Sequence, residues 1–174
     1  MGYTRVITIH SAMLSKGDIL KPFAESIHAK VNTEKLNGIT VRQARYLKRA
    51  MSFEIRHLCD ALMPDLLTPM VSKAAYLRAR SIGVDLRTMD WHDQPRFDPD
   101  RKVFHLEHMM PVSMVRDLCR SAASLEEVIG ILDYKLSLVW ILKDEDAVLS
   151  KMGFRNKRPD PAFAYRAAGI CIVE

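Results

Sequence analysis

Apolar positions recur with a helical period through the first half of the chain. In the segment 40–63 they lie three and four residues apart, which predicts one amphipathic helix with a continuous buried stripe. Thr40 suits the N-cap of this helix, and Pro64 suits its end. The stripe comprises Val41, Ala44, Leu47, Met51, Ile55, Leu58 and Leu62. The same half is predicted to hold a strand at 4–10, a helix at 18–32 and a helix at 67–82 that ends at Gly83.

The pattern changes at residues 88–100, where two prolines and four aspartates without periodicity predict a connecting loop. Beyond this loop, short strands alternate with short helices. The predicted elements are strands at 102–108 and 136–143, helices at 111–122, 124–133 and 144–153, and a final strand in AGICIVE. The fold class is therefore α+β, with a mainly helical scaffold or DNA-positioning region over 1–87 and a different second part over 101–174.

Composition and charge narrow the functional classes. The chain has 174 residues, a formal net charge of +5 and a pI near 9.2, which favours an acidic partner such as nucleic acid. Its three cysteines are far apart and form no CxxC pair, so they predict reduced thiols rather than a cysteine-bound zinc. With no signal-peptide pattern and no apolar run of membrane-spanning length, the expected setting is the cytoplasm, without membrane association.

The segment FHLEHMMP, residues 104–111, concentrates groups that can carry chemistry. In a strand, His105 and Glu107 would share one face, and His108 would come at the strand end, where Pro111 forces the chain out of regular pairing. A carboxylate suits a hard cation such as magnesium, and a neutral imidazole suits a general base. A solvated strand face with incidental histidines is the alternative interpretation.

A second acid is needed, because one carboxylate rarely holds a catalytic magnesium alone. The buried strand at 136–143 ends in Asp144-Glu145-Asp146 and is followed by a helix, expected to pack on the two strands through Val148, Leu149 and Met152. These acids would lie opposite the first site. They could equally serve only to cap the helix and to favour the positive end of its dipole.

The runs LEHMMPVS and LVWILKDEDAVLSK together resemble the HNH, or ββα-metal, nucleases over about residues 100–156. The resemblance implies a DNA endonuclease that uses Mg²⁺ or Mn²⁺. It assigns Glu107 as first metal ligand, His108 as general base, and Asp146 as second ligand with Asp144 next best; His105 could add a ligand. Two features depart from the family: an aspartate stands where asparagine or histidine is common, and Asp146 follows His108 by 38 residues, a longer gap than expected.

Two basic clusters are candidate DNA contacts. One follows the helix predicted to carry the second metal ligand and comprises Lys151, Arg155, Lys157 and Arg158. The other is a stripe on the helix 40–63, made of Arg42, Arg45, Arg49 and Arg56. Each could also be an ordinary solvated face.

Other functions remain open at this stage. The chain could be a non-catalytic helical module that binds nucleic acid or protein, with a degenerate HNH-like half. A zinc hydrolase using His105 and His108 is weaker, because residues three apart on a strand face opposite sides. The helical half could also mediate a homodimer. A restriction, phage or mobile-element origin would suit the nuclease interpretation.

Overall fold

A computed structural model describes residues 14–173; the strand predicted at 4–10 lies outside this range. The described chain is a mixed α+β structure in which helices surround a small sheet. The helices are α1 (Lys16–Glu34), α2 (Val41–Leu62), α3 (Lys73–Arg80), α4 (Gln94–Phe97), α5 (Val112–Ser121), α6 (Leu125–Lys135), α7 (Lys143–Lys151) and α8 (Pro161–Ala167). The strands are β1 (Met70–Ser72), β2 (Phe104–His108), β3 (Leu138–Leu142) and β4 (Ile172–Val173).

Helices α1, α2, α5 and α6 enclose the larger core, which both halves of the chain share. Helix α2 begins as the sequence predicts, because the Thr40 side chain accepts a hydrogen bond from the backbone N–H of Gln43 in a capping box. Its stripe is buried from Met51 onwards, but Val41 is 78% exposed. The first turns of α2 therefore extend beyond this core. None of the helices within residues 14–173 combines the length and apolar character needed to cross a membrane.

The sheet has the strand order β2-β3-β1-β4. Strand β3 pairs antiparallel with β2 and parallel with β1, and β4 pairs antiparallel with β1. The predicted pairing of the segments 102–108 and 136–143 is confirmed. The helix predicted at 67–82 is wrong over its first turns, because Met70–Ser72 form β1. That strand is three residues long, so its partners in β3 and β4 decide its conformation more than its own sequence does.

Two smaller cores cover the two faces of the sheet. Trp140 in β3 faces α3 together with Phe104 in β2, whereas Val139 and Ile141 face α7 and α8. Helix α7 packs on the sheet through buried Leu149 alone; Val148 and Met152, expected to pack with it, are more than 40% exposed. The prediction placed α7 correctly but made its buried face too wide.

The predicted connecting loop at 88–100 is held by one buried carboxylate. Asp98 accepts hydrogen bonds from the backbone N–H groups of Lys102, Val103 and Phe104, and from the Gln94 side chain. Burial raises the pKa of Asp98, but these hydrogen bonds outweigh it and hold the pKa below its usual range. The loop is thereby fixed to the start of β2, the strand that carries the candidate chemistry.

An ion pair joins the helices of the larger core. Arg120 in α5 donates two hydrogen bonds to the carboxylate of Glu34 at the end of α1, at 2.7 and 2.8 Å. Lys48 in α2 lies 3.5 Å from the same carboxylate. The hydrogen bond from Arg120 holds the pKa of Glu34 below its ordinary value of 4.5 against the opposing effect of burial.

We predict that Glu34→Gln lowers the free energy of unfolding at pH 7 by about 1–3 kcal/mol, because a charge-assisted bidentate pair is lost. A carboxyl group whose pKa is lowered on folding stabilises the protein above its unfolded pKa and loses that contribution as the pH falls through its folded pKa. The difference between wild type and variant should therefore shrink below about pH 4.5. Urea unfolding across this range is the measurement. Glu25→Gln, an exposed position on the same helix, is the control; an equal loss in both variants would contradict the role of the ion pair.

Candidate active site

Strand β2 carries His105 and Glu107 on the face of the sheet that α7 covers, and α7 adds Asp146. The register with β3 sets this face, since His105 lies opposite Ile141 and Glu107 opposite Val139. One ligand atom from each of His105, Glu107 and Asp146 lies within 4.8 Å of the others. His105 Nε2 is 2.9 Å from Glu107 Oε2. Three side chains that the sequence singled out are thus brought together.

The acids at the start of α7 have different surroundings. Glu145 accepts a hydrogen bond from the Ser72 hydroxyl at 2.6 Å and one from the Leu142 backbone N–H at 2.8 Å, so its carboxylate caps the helix and ties it to β1. Asp144 is exposed and lies outside the group of three. The helix-capping interpretation therefore describes Glu145, and Asp146 is the acid that faces Glu107.

His108 approaches the same space from the opposite face of the sheet. Strand alternation places it opposite Leu138, away from Glu107. Because β2 is an edge strand, side chains from both of its faces border one cleft that wraps around this edge. Burial lowers the pKa of His108 to about 4 despite the nearby Glu107 carboxylate, so the imidazole is neutral at pH 7. Its Nε2 atom is buried and has no hydrogen-bond partner among the described residues.

Glu107 is held on its second oxygen by a buried arginine. Arg158 Nη2 donates to Glu107 Oε1 at 2.9 Å, and the Arg158 side chain is fully buried. Burial raises the pKa of Glu107, but the hydrogen bond with His105 and the charge of Arg158 outweigh it and hold the pKa below its usual range. The carboxylate is therefore ionised at neutral pH with one oxygen, Oε2, directed to His105.

The prediction that Arg158 contacts DNA is wrong. Besides Glu107, its guanidinium donates to the backbone carbonyls of His108, Met109 and Phe154 and to the hydroxyl of Tyr165. All its donors are thus directed into the protein, and no surface remains for a phosphate. In the sequence this residue belongs to a run of charged positions typical of a solvated surface. Only the tertiary contacts of its side chain with β2, the segment after α7 and Tyr165 of α8 accompany its burial.

The other predicted DNA contacts are exposed. Arg155 borders the cleft, whereas Lys151 and Lys157 lie outside it. On α2, the exposed stripe of Arg42, Arg45 and Arg49 continues at helical spacing to Ser52 and Arg56, which both border the cleft.

The cleft has a volume of about 410 Å³, and three arginines line it. Arg56 comes from α2, Arg116 from α5, and Arg155 from the segment after α7. Sequence reasoning missed Arg116, which donates to the Ser52 hydroxyl at 3.3 Å. No spacing rule links it to the motif, because it lies in the insertion between the two strands. Three cations thus face two carboxylates across one depression.

The group of three fits a hard divalent cation. Oxygen ligands at about 2.1 Å from an octahedral magnesium lie roughly 3–4 Å apart, so the observed ligand atoms would need to close by less than about 1–2 Å. The two carboxylates suit magnesium or manganese, whereas the imidazole is a ligand more typical of transition metals. One Glu107 oxygen stays on Arg158 and orients the other. His108 is not in the group, so the arrangement gives no support to a zinc site built on His105 and His108.

We predict that Arg158→Ala destabilises the protein by about 3–5 kcal/mol, because it leaves the carboxylate of Glu107 buried without its partner. The adjacent exposed substitution Lys157→Ala should change stability by less than about 0.5 kcal/mol. Chemical denaturation of both variants tests this. Equal, small effects would mean that Arg158 is not the buried anchor described above.

We further predict that Asp146→Asn weakens Mn²⁺ binding by about tenfold or more, since one ligand is neutralised. Asp144→Asn removes the same charge from the same helical turn but not from the group of three, so it should bind Mn²⁺ like wild type. Isothermal titration calorimetry with Mn²⁺ measures both. Equal weakening by the two substitutions would indicate a general charge effect rather than a ligand.

Comparison of this chain with protein-family models, with curated proteins and with solved structures found no match. Its function is therefore inferred from the geometry and chemistry of the cleft.

Proposed function

We propose that this protein is a metal-dependent endonuclease of the HNH type that hydrolyses phosphodiester bonds in DNA. The observation that carries the proposal is the meeting of three metal-ligating side chains, a neutral buried histidine and three arginines at one cleft. The sequence resemblance supports the same roles, with the antiparallel pair β2–β3 followed by α7 as the ββα unit.

In this proposal His105, Glu107 and Asp146 would hold Mg²⁺ or Mn²⁺. The ion would neutralise charge on the phosphate and on the leaving oxygen. Arg158 is a positioning residue, because it fixes one oxygen of Glu107 and the carbonyl of His108. Its buried contacts hold the ligand strand to the segment after α7 and to α8.

His108 would act as the general base. Its imidazole is neutral, which is the protonation state that can accept a proton from attacking water. No described residue competes for its Nε2 atom, which is buried, so the attacking water would have to enter the cleft to reach it. Placement on the opposite face from Glu107 lets the base and the ion approach a phosphate from two directions.

The arginines would bind the substrate backbone. Arg56, Arg116 and Arg155 surround the cleft, and the exposed stripe Arg42, Arg45 and Arg49 leads away from Arg56 along α2. Guanidinium groups pair bidentately with phosphate oxygens, and such contacts supply most sequence-independent affinity.

We predict that His108→Ala lowers the rate of DNA cleavage with Mg²⁺ by about 10²–10⁴-fold, the usual cost of losing a general base. Mn²⁺ binding should persist, because His108 is not among the ligands. Added imidazole should restore part of the rate by entering the vacated space. The measurement is nicking of supercoiled DNA by the purified full chain, with EDTA as the metal-free reference.

His57→Ala is the matched control, since His57 is an exposed histidine on α2 that does not border the cleft. Wild-type cleavage by His108→Ala would reject the mechanism. DNA retention by the wild type without any metal-dependent cleavage would favour a non-catalytic binding module instead.

A further inference from the structure

A second cavity lies beside the cleft, on the other side of β2. Its volume is about 320 Å³, near the lower end for small-molecule sites, and it shares Arg56, His105, Glu107 and His108 with the cleft. The remaining wall is different in character: Cys59, Leu106 and Leu138 are apolar, and Trp91 closes one side. The residues that line both cavities thus lie between a side rich in arginine, which is the cleft, and a side that is apolar and aromatic, which is the second cavity.

Trp91 lies at the surface with a cation over its ring. The residue is 37% exposed, and the guanidinium of Arg101 lies 3.7 Å from the centroid of its ring. Arg101 also donates a hydrogen bond to the backbone carbonyl of Trp91 at 3.2 Å. Asp100 and Arg101 both adopt left-handed backbone conformations, with φ of 62° and 52°. Non-glycine residues adopt this conformation at an energetic cost, and such residues cluster at ligand sites.

The loop that carries Trp91 is anchored to the catalytic strand. Asp90 accepts hydrogen bonds from the backbone N–H groups of His92 and Asp93, which fixes the turn around Trp91. Gln94 donates to the carbonyl of Phe104, the first residue of β2. The position of the indole is therefore set relative to His105 and His108.

The charge of this cavity makes it less suited to a phosphate than the cleft, because Arg56 is its single arginine whereas the cleft has three. Asp60 on α2 borders the second cavity, and among residues 14–173 no hydrogen bond or ion pair engages its carboxylate. A carboxylate repels phosphate but accepts hydrogen bonds from the exocyclic amino group of a base such as cytosine. An aromatic ring, apolar walls and one acceptor together match a nucleobase.

We propose that this cavity binds one unpaired nucleobase, stacked on Trp91, while the adjoining phosphate occupies the basic cleft. The inference rests on the proposed nuclease function for the class of substrate, and it narrows that class to single-stranded or locally unpaired nucleic acid. A base within a duplex is stacked on both faces, so it cannot enter a side cavity without leaving the helix.

The first test is binding in EDTA, where no hydrolysis occurs. The probe is an end-labelled oligodeoxycytidylate of about eight nucleotides, measured by anisotropy, with an abasic strand of equal length as reference. We expect Trp91→Ala to weaken binding of the base-containing strand by roughly 5- to 150-fold, the usual range for loss of one stacked base. Trp91→Phe should retain most of the affinity because it keeps an aromatic face. Binding of the abasic strand should be unchanged by either substitution.

Tyr134→Ala is the matched control. Tyr134 is also exposed and also has a cation over its ring, Lys135, but it borders neither cavity. The Asp60→Asn variant should reduce the preference for oligodeoxycytidylate over oligothymidylate, since thymine lacks an exocyclic amino group. The ribose counterpart of the probe separates RNA from DNA.

Intrinsic fluorescence gives an independent readout. The chain has two tryptophans, and Trp140 is fully buried, so a change on adding the strand reports on Trp91. We expect quenching by the base-containing strand and none by the abasic one. Equal quenching by both strands, or wild-type affinity in Trp91→Ala, would overturn the inference.

The outcomes separate this inference from the proposed function. Base-dependent quenching without metal-dependent cleavage would contradict the proposed nuclease function and support the nucleobase site. Cleavage could instead proceed equally on duplex and single strands and be unaffected by Trp91→Ala. That result would support the nuclease function and contradict the nucleobase site.

Discussion

A guanidinium with no access to water must satisfy its donors within the protein, and Arg158 does so with five groups. These are the carboxylate of Glu107, the carbonyls of His108, Met109 and Phe154, and the hydroxyl of Tyr165. One side chain therefore joins the end of β2 to the segment after α7 and to α8. Desolvating the charge is costly, and the ion pair with Glu107 offsets that cost only while every partner is present.

The position of β2 at the edge of the sheet determines what the chemistry can be. In a central strand, Glu107 and His108 would face separate cores on opposite sides. At the edge, the same alternation lets both side chains border one space, with α2 along its outer side. The proposed ion site and the proposed base thus follow from topology and from strand periodicity together.

The surroundings of this strand end differ in charge between its two sides. Arginines from α2, α5 and the segment after α7 make one side basic. On the other side, Trp91, Asp60 and apolar residues surround a cavity that has one arginine, Arg56, and is less suited to phosphate. A nucleotide has an anionic phosphate and a flat aromatic base. The difference between the two sides of β2 would therefore orient a nucleotide bound across it. The loop at 88–100 supplies the aromatic residue, Trp91, of the second cavity. The composition of this segment predicts only a connecting loop.

Local sequence determined the helices and strands that show a clear hydrophobic period or a recognisable capping or terminating residue. The helix with Thr40 as its cap, the alternation of Phe104 to His108, the buried strand before Asp144 and the helix that follows it are all readable from residue order. Burial and convergence are not, because they depend on residues distant in the chain. The resemblance preferred Asp146 to Asp144, but only the placement of α7 on the sheet brings Asp146 to His105 and Glu107. Strand β1 required its partners, and Arg116 and Trp91 entered the site only through folding. Arg158 is the clearest example. Its charge predicted an exposed DNA contact, but tertiary packing made it the buried partner of Glu107.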